Sequence, residues 1–310
     1  MDVAALVRGA RAGRPRAVAR LISLVEDGAP ELREIAAALA PYAGHATVIG
    51  LTGAPGVGKS TTTAALIAAY RSRGARVGVL AVDPSSPFTG GAILGDRVRM
   101  QQHATDPDVY IRSMSSRGNL GGLAAATPQA VRVLDAAGCD VVLVETVGVG
   151  QAEVAVASLA DTTLVLVAPG MGDAIQAVKA GILEIADVFV VNKADRDGAD
   201  ATAHDLRGML ALVRREPHEW RQPVLKLVAA RDEGLDELLA ALDKHRAYLA
   251  EHGELTRRRR DRAAAEIEAI AVAALRERID ARRAAAGLDH LADQVIAGEL
   301  DPYSAADELR

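Results

Sequence analysis

The chain has one cysteine, Cys139, which excludes an intramolecular disulfide and any zinc site built from cysteines. Aromatic residues make up only 3% of its 310 positions. There is no excess of positive charge: 36 Lys and Arg stand against 41 Asp and Glu, a formal charge of −5. A dedicated nucleic-acid binder usually needs a basic face, so that class is set aside. No apolar run approaches the ~18 residues of a membrane span. The longest, such as Val141–Val144 and Val188–Val191, have the length of strands. The N-terminus carries Asp2 and no apolar signal core, and Asp2, Glu26 and Asp27 argue against a transit peptide. A cytoplasmic protein is therefore expected. Lysine is scarce: Lys59, Lys179, Lys193, Lys226 and Lys244 are the only five, against 31 arginines. A GC-rich coding bias explains such a surplus and leaves most arginines without a functional reading.

Half the residues are hydrophobic and 25% are charged, as in a folded globular protein. At ~150 residues per domain the length suggests two domains. The pattern divides the chain into a helical extension at 1–45, an α/β domain at 46–250 and a helical arm at 251–310. In the first part Val3, Leu6 and Val7 share a helix face, as do Val18, Leu21, Ile22 and Val25. Pro15 suits a first helical turn, and Pro30 is placed to open a third helix through Ile35 and Leu39. From Thr47 seven short apolar runs alternate with helical stretches: 47–51, 76–82, 109–112, 140–145, 162–168, 187–192 and 223–228. Continuous apolar runs suit parallel strands covered on both faces. The fold class is thus α/β, with a doubly wound, mostly parallel sheet whose ligands lie at the strands' carboxyl ends. Beyond Gly234, Leu235, Leu238, Leu239 and Leu242 form one stripe, and a longer helix runs from about Glu254 to Ala285, with Gly287 as its cap. That arm has too few large apolar residues for a core of its own, so it is expected to pack on a second copy of the chain.

Gly53-Ala54-Pro55-Gly56-Val57-Gly58-Lys59-Ser60 fits G-x-x-x-x-G-K-[ST] between a strand and a helix. Its glycines let backbone N–H groups wrap phosphates at a helix N-terminus, a role extended to Thr61. Lys59 would reach the β- and γ-phosphates, and the Ser60 hydroxyl would ligate Mg²⁺. Asn192-Lys193-Ala194-Asp195 closes another apolar strand. In an N-K-x-D pattern the Asp carboxylate accepts from guanine N1–H and its 2-amino group, a donor pair that adenine lacks. Asn192 would brace the loop, and Lys193 would lie over the base. The strand Asp140–Glu145 leads into Thr146-Val147-Gly148. Glu145 would hold the Mg²⁺ shell through water, and the Gly148 N–H would meet the γ-phosphate. Asp83 and Asp96 flank a polar, glycine-rich stretch and are further candidate Mg²⁺ ligands.

Together these motifs resemble the methylmalonyl-CoA mutase-associated GTPases, the MeaB type once labelled ArgK. The resemblance rests on GAPGVGKST, VDPSSPFTGGAILGDRVRM, VETVGVGQAEVAV, PGMGDAIQAVKAGILEIAD and VVNKAD. It implies a P-loop GTPase binding GTP or GDP with Mg²⁺, and a homodimer joined through C-terminal helices. It also implies a partner, an adenosylcobalamin-dependent acyl-CoA mutase that the GTPase protects or loads. A third loop at about 170–179, with Asp173, Gln176 and Lys179, would relay the partner's presence. Candidates for orienting the attacking water are Gln151, Glu153, Asp83 and Lys179. Two departures stand out. Ala174-Ile175 replaces the family's Glu-Leu, and the last guanine loop reads Val228-Ala229-Ala230 where a Ser-Ala is usual, keeping backbone N–H groups but losing a hydroxyl. Two other readings stay open: a GTP-dependent binding module with incidental hydrolysis, and a metal-insertion GTPase of the hydrogenase or urease kind. The latter would need a Cys/His cluster, which the sequence does not offer. Arg257–Arg260 lies in a segment with ten basic and thirteen acidic side chains at 251–310 and reads as a solvated face. Cys139 reads as a small buried residue and Trp220 as the anchor of a loop.

Overall fold

The computed structural model describes residues 1–83, 103, 105–115, 126–146, 152–170, 181–216 and 218–308. Two compact units make up the chain, Met1–Thr256 and Arg257–Arg310.

The first unit is built on seven parallel strands: β1 (Thr47–Thr52), β2 (Val77–Asp83), β3 (Val109–Ser115), β4 (Val141–Thr146), β5 (Thr162–Val167), β6 (Val188–Asn192) and β7 (Val224–Leu227). Their order is β3-β2-β4-β1-β5-β6-β7, every pairing parallel. Each apolar run of the sequence became a strand, because successive residues point to opposite faces and both faces of the inner strands are buried, while the edge strand β7 exposes Lys226. Val142 and Val144 face one layer, Val141 and Leu143 the other. The first layer holds α1 (Val3–Arg11), α2 (Pro15–Glu26), α3 (Leu32–Leu39), α5 (Thr127–Ala136) and α6 (Ala152–Leu159), with α4 (Lys59–Ser72) on the opposite side. Against the β5–β6 end of the first face packs α7 (Ala199–Ala211), under Phe189, Val165 and Val191. α8 (Leu235–Glu251) joins α4 through the leucine stripe Leu235, Leu238, Leu239 and Leu242.

The N-terminal helices belong to the same compact unit as the sheet. Asp135 ties them to it: its carboxylate accepts the N–H groups of Gly44, His45 and Ala46 just before β1. α3 starts at Leu32 and not at Pro30, which sits in the turn closed by Leu32 N–H donating to Ala29 O at 2.9 Å. Cys139 is buried, and burial pushes its thiol up to about 12. Trp220 donates Nε1–H to Asp187 O at 2.8 Å and stacks near His245 and Tyr248, so it pins its loop beneath β6.

The sheet order places β1 between β4 and β5, where chain connections diverge to the two sides. In such sheets the crevice at the carboxyl ends of these strands receives ligands. The loops after β1, β6 and β7 open there.

The long helix α9 (Glu254–Ala286) crosses the division between the units, and α10 (Leu288–Ala297) and α11 (Pro302–Glu308) follow. Gly287 turns the chain between α9 and α10 with φ +65°. Ile267, Ile270, Leu275 and Ile279 are exposed along α9. Among the described residues no helix is long and apolar enough to cross a membrane.

Candidate active site

β1 delivers the chain into the Gly53–Gly58 loop, and two of its glycines admit no other residue. A Cβ on Gly53 would lie 2.2 Å from Leu166 O on β5, and one on Gly58 would lie 2.3 Å from Asn192 Nδ2. Gly58, at φ +97°, also forms the N-cap of α4, a backbone setting that L side chains rarely adopt. The loop therefore wraps tightly over the N-terminus of α4, where the N–H groups of a first helical turn and the helix dipole favour an anion. Lys59 and Ser60 open that helix and are buried. Lys59 Nζ donates to Gly53 O at 2.8 Å and to Ala54 O at 3.1 Å, so the ammonium is folded across the concavity it encloses. Thr61 follows in the first turn of α4.

β4 lies beside β1 with Glu145 opposite Leu51, which brings its carboxylate to the mouth of the same loop. Glu145 is 2% exposed. Its Oε1 accepts from Ser60 Oγ at 2.6 Å and its Oε2 from Thr63 Oγ1 at 2.8 Å. A hydroxyl and a carboxylate paired at a phosphate loop are oxygen donors of the kind Mg²⁺ takes, the ion drawing its other ligands from phosphates and water. The donor set fits the ion.

The loop after β6 is joined to the first by Asn192. Its Nδ2 donates to Val57 O at 2.8 Å, while its Oδ1 accepts from Ala229 N at 3.2 Å in the loop after β7. One buried amide thus fixes three loops to one another. Lys193 adopts φ +56°, a strained value for a residue with a side chain, and its Nζ donates to Gly56 O at 2.6 Å. Asp195 stands at the exposed rim, where Arg231 Nη2 lies 3.2 Å from its Oδ2. Arg231 Nε lies 3.3 Å from Glu233 Oε1, so the guanidinium spans two carboxylates. Of the last loop, Val228 N–H donates to Glu233 O at 2.9 Å and Ala229 N–H to Asn192. Ala230 is exposed.

Of the expected site residues, the structure thus brings together the loop 53–61, Glu145, Asn192, Lys193, Asp195 and the 228–230 turn. Asp83 ends β2 beside β4, but its side chain lies outside the described set, as does that of Glu153. Asp96, Gly148, Gln151, Asp173, Gln176 and Lys179 also lie outside the described residues. Two participants escaped the sequence reading. Thr63 was detectable in principle, since it falls three residues after Ser60 on one helix face. Arg231 carried no signal, being one of 31 arginines.

Comparison with known proteins agrees with this geometry. Residues 18–284 match the family described as methylmalonyl-CoA mutase-associated GTPase MeaB. A putative GTPase of Pyrococcus abyssi is 48% identical over 306 residues, covering 98% of this chain and 94% of the relative. The mitochondrial methylmalonic aciduria type A homolog of Caenorhabditis elegans is 39% identical over 217 residues, 69% of this chain and 54% of its own. The crystal structure of an LAO/AO transport system kinase superposes with a TM-score of 0.74 at 28% identity, covering 99% and 96% of the two chains.

Proposed function

The chain belongs to the methylmalonyl-CoA mutase-associated GTPase family and is a P-loop GTPase, and from that premise we propose that its GTP cycle serves an adenosylcobalamin-dependent acyl-CoA mutase. The observation that supports the nucleotide assignment best is the Asn192 amide. It joins the phosphate loop, the N-K-x-D turn and the 228–230 turn into one concave site.

In this reading the backbone N–H groups of Gly56, Gly58, Lys59 and Ser60, at the N-terminus of α4, hold the phosphates. Lys59 leaves the carbonyls of Gly53 and Ala54 and turns its ammonium toward the β- and γ-phosphates, as a compact charge that a guanidinium fork cannot copy inside a backbone cradle. Mg²⁺, carried by Ser60 and reached from Glu145 through water, would supply charge neutralisation at the phosphates. Asp195 accepts the two donors of the guanine edge, with Lys193 over the base plane. The N–H of Ala230 faces guanine O6, because those of Val228 and Ala229 are already engaged. Hydrolysis then rests on positioning and electrostatics, with little covalent chemistry for the protein to perform.

The partner assignment rests on the family. Protein loaded with GTP or with GDP and offered to purified methylmalonyl-, isobutyryl- or ethylmalonyl-CoA mutase should capture one of them, and that mutase should raise turnover. Capture without stimulation would favour a binding module whose hydrolysis is incidental, and failure to capture in either state would refute the mutase role.

The exposed side chains of Ile267, Ile270, Leu275 and Ile279 lie at helical spacing on α9, and we assign them to a homodimer contact with a second arm. Truncation before Glu254 should give monomers by light scattering. A persisting dimer would place the contact elsewhere.

A further inference from the structure

Thr63 carries no role in the phosphate-loop motif, yet its hydroxyl is fully buried against the site. It stands one turn beyond Ser60 on the same face of α4, and its Oγ1 lies 2.8 Å from Glu145 Oε2. The carbonyl of Lys59 is also within reach, at 3.1 Å. A hydroxyl has one proton, and the carboxylate is both the closer and the stronger acceptor. The other carboxylate oxygen is held by Ser60 at 2.6 Å. Two hydroxyls of one helix therefore grip the two oxygens of one buried acid.

The grip matters because the acid is a glutamate. Where an aspartate stands at the end of such a strand its short side chain has little freedom. A glutamate adds a methylene and a rotatable bond, so its carboxylate needs a second anchor to stay where Ser60 meets it. Spacing of i and i+3 on α4 supplies that anchor without any change of backbone. We propose that Thr63 is the positioning residue for the Ser60–Glu145 pair, fixing the side of the site that faces Mg²⁺. The inference rests on the reading of Ser60 and Glu145 as the groups that hold the ion. With valine at 63 a methyl group faces Oε2, which is left buried without this donor. Glu145 then turns away, and Ser60 loses the acceptor that aims its lone pairs outward.

The test is a Mg²⁺ titration of the retention of fluorescent mant-GDP by the full chain, a readout independent of hydrolysis. Thr63→Val should raise the Mg²⁺ concentration for half-maximal retention by about tenfold, the order expected for losing one charge-assisted hydrogen bond. Thr63→Ser, which restores the donor, should return it to within about twofold of the parent. In excess EDTA parent and variant should release nucleotide at the same rate, whereas a general loosening of the loop would speed release there too. If Thr63→Val does not fold, Thr63→Cys, a weak donor of similar size, should shift the midpoint in the same direction. An unchanged midpoint in the folded variant overturns the proposal. Ser60→Ala is the control: if it too leaves the midpoint unchanged, the assignment of the Mg²⁺ pair has failed and the role of Thr63 falls with it.

Discussion

Lys59→Ala should lower the rate of GTP hydrolysis by at least about a hundredfold, the loss usual when one preorganised group facing transition-state charge is removed. The fold should survive. Lys59 occupies the first turn of α4, where alanine is the best helix former, and of the two carbonyls it leaves that of Ala54 is only part-buried, while that of Gly53 loses one buried donor. The expected thermal midpoint therefore stays close to that of the parent, and nucleotide affinity falls less than turnover. The reason is the timing of charge. Bound GTP already has its phosphates wrapped by N–H groups, but charge shifts toward the β–γ bridge as the bond breaks. An ammonium that now spans Gly53 O and Ala54 O would turn from those carbonyls to meet that shift. Single-turnover assays with saturating GTP and Mg²⁺ separate the two effects. A variant that keeps parental turnover would show that phosphate charge is met by another group.

The sheet was legible because its signal is local. Each strand reads as a short apolar run, most of them covered on both faces, so seven runs predicted seven strands with no end shifted by more than three residues. The phosphate loop was equally legible, since glycine spacing dictates backbone geometry within eight residues. Pro30 misled slightly, because a proline that suits a first helical turn also suits the turn before it. The contacts that finish the site could not be read in this way. That Asn192 reaches both Val57 and Ala229 depends on β6 lying two strands from β1, a fact of topology. That Thr63 grips Glu145 depends on the rotation of α4 over β4, which the helical period constrains without specifying the partner. Arg231 lies furthest from sequence logic: a long, exposed side chain finds Asp195 only because two loops after neighbouring strands approach each other.

The exposed pair between Arg231 and Asp195 bears directly on Asp195→Asn. This change should lower the preference for guanine over xanthine nucleotides by at least about a hundredfold, and xanthine should become the favoured base. The carboxylate offers two acceptors to guanine N1–H and its 2-amino group. An amide offers one acceptor and one donor, which leaves the 2-amino group facing an N–H. Xanthine has a carbonyl at that carbon, so the same amide donates to it while accepting from N1–H. Fully buried recognition groups can discriminate by about 10⁴-fold or more, but the Asp195 side chain is 44% exposed, and water softens the mismatch. The fold should be indifferent to the change. An ion pair this exposed contributes little stability, and Arg231 keeps Glu233 at 3.3 Å when its other partner becomes neutral. Competition of GTP, XTP and ATP against mant-GDP on parent and variant measures the exchange. If the variant still prefers GTP over ATP and XTP as the parent does, Asp195 is not the group that reads the base. The guanine edge would then have to be met from the 228–230 turn alone, where the Ala230 N–H can meet O6 but supplies no acceptor that distinguishes a 2-amino group.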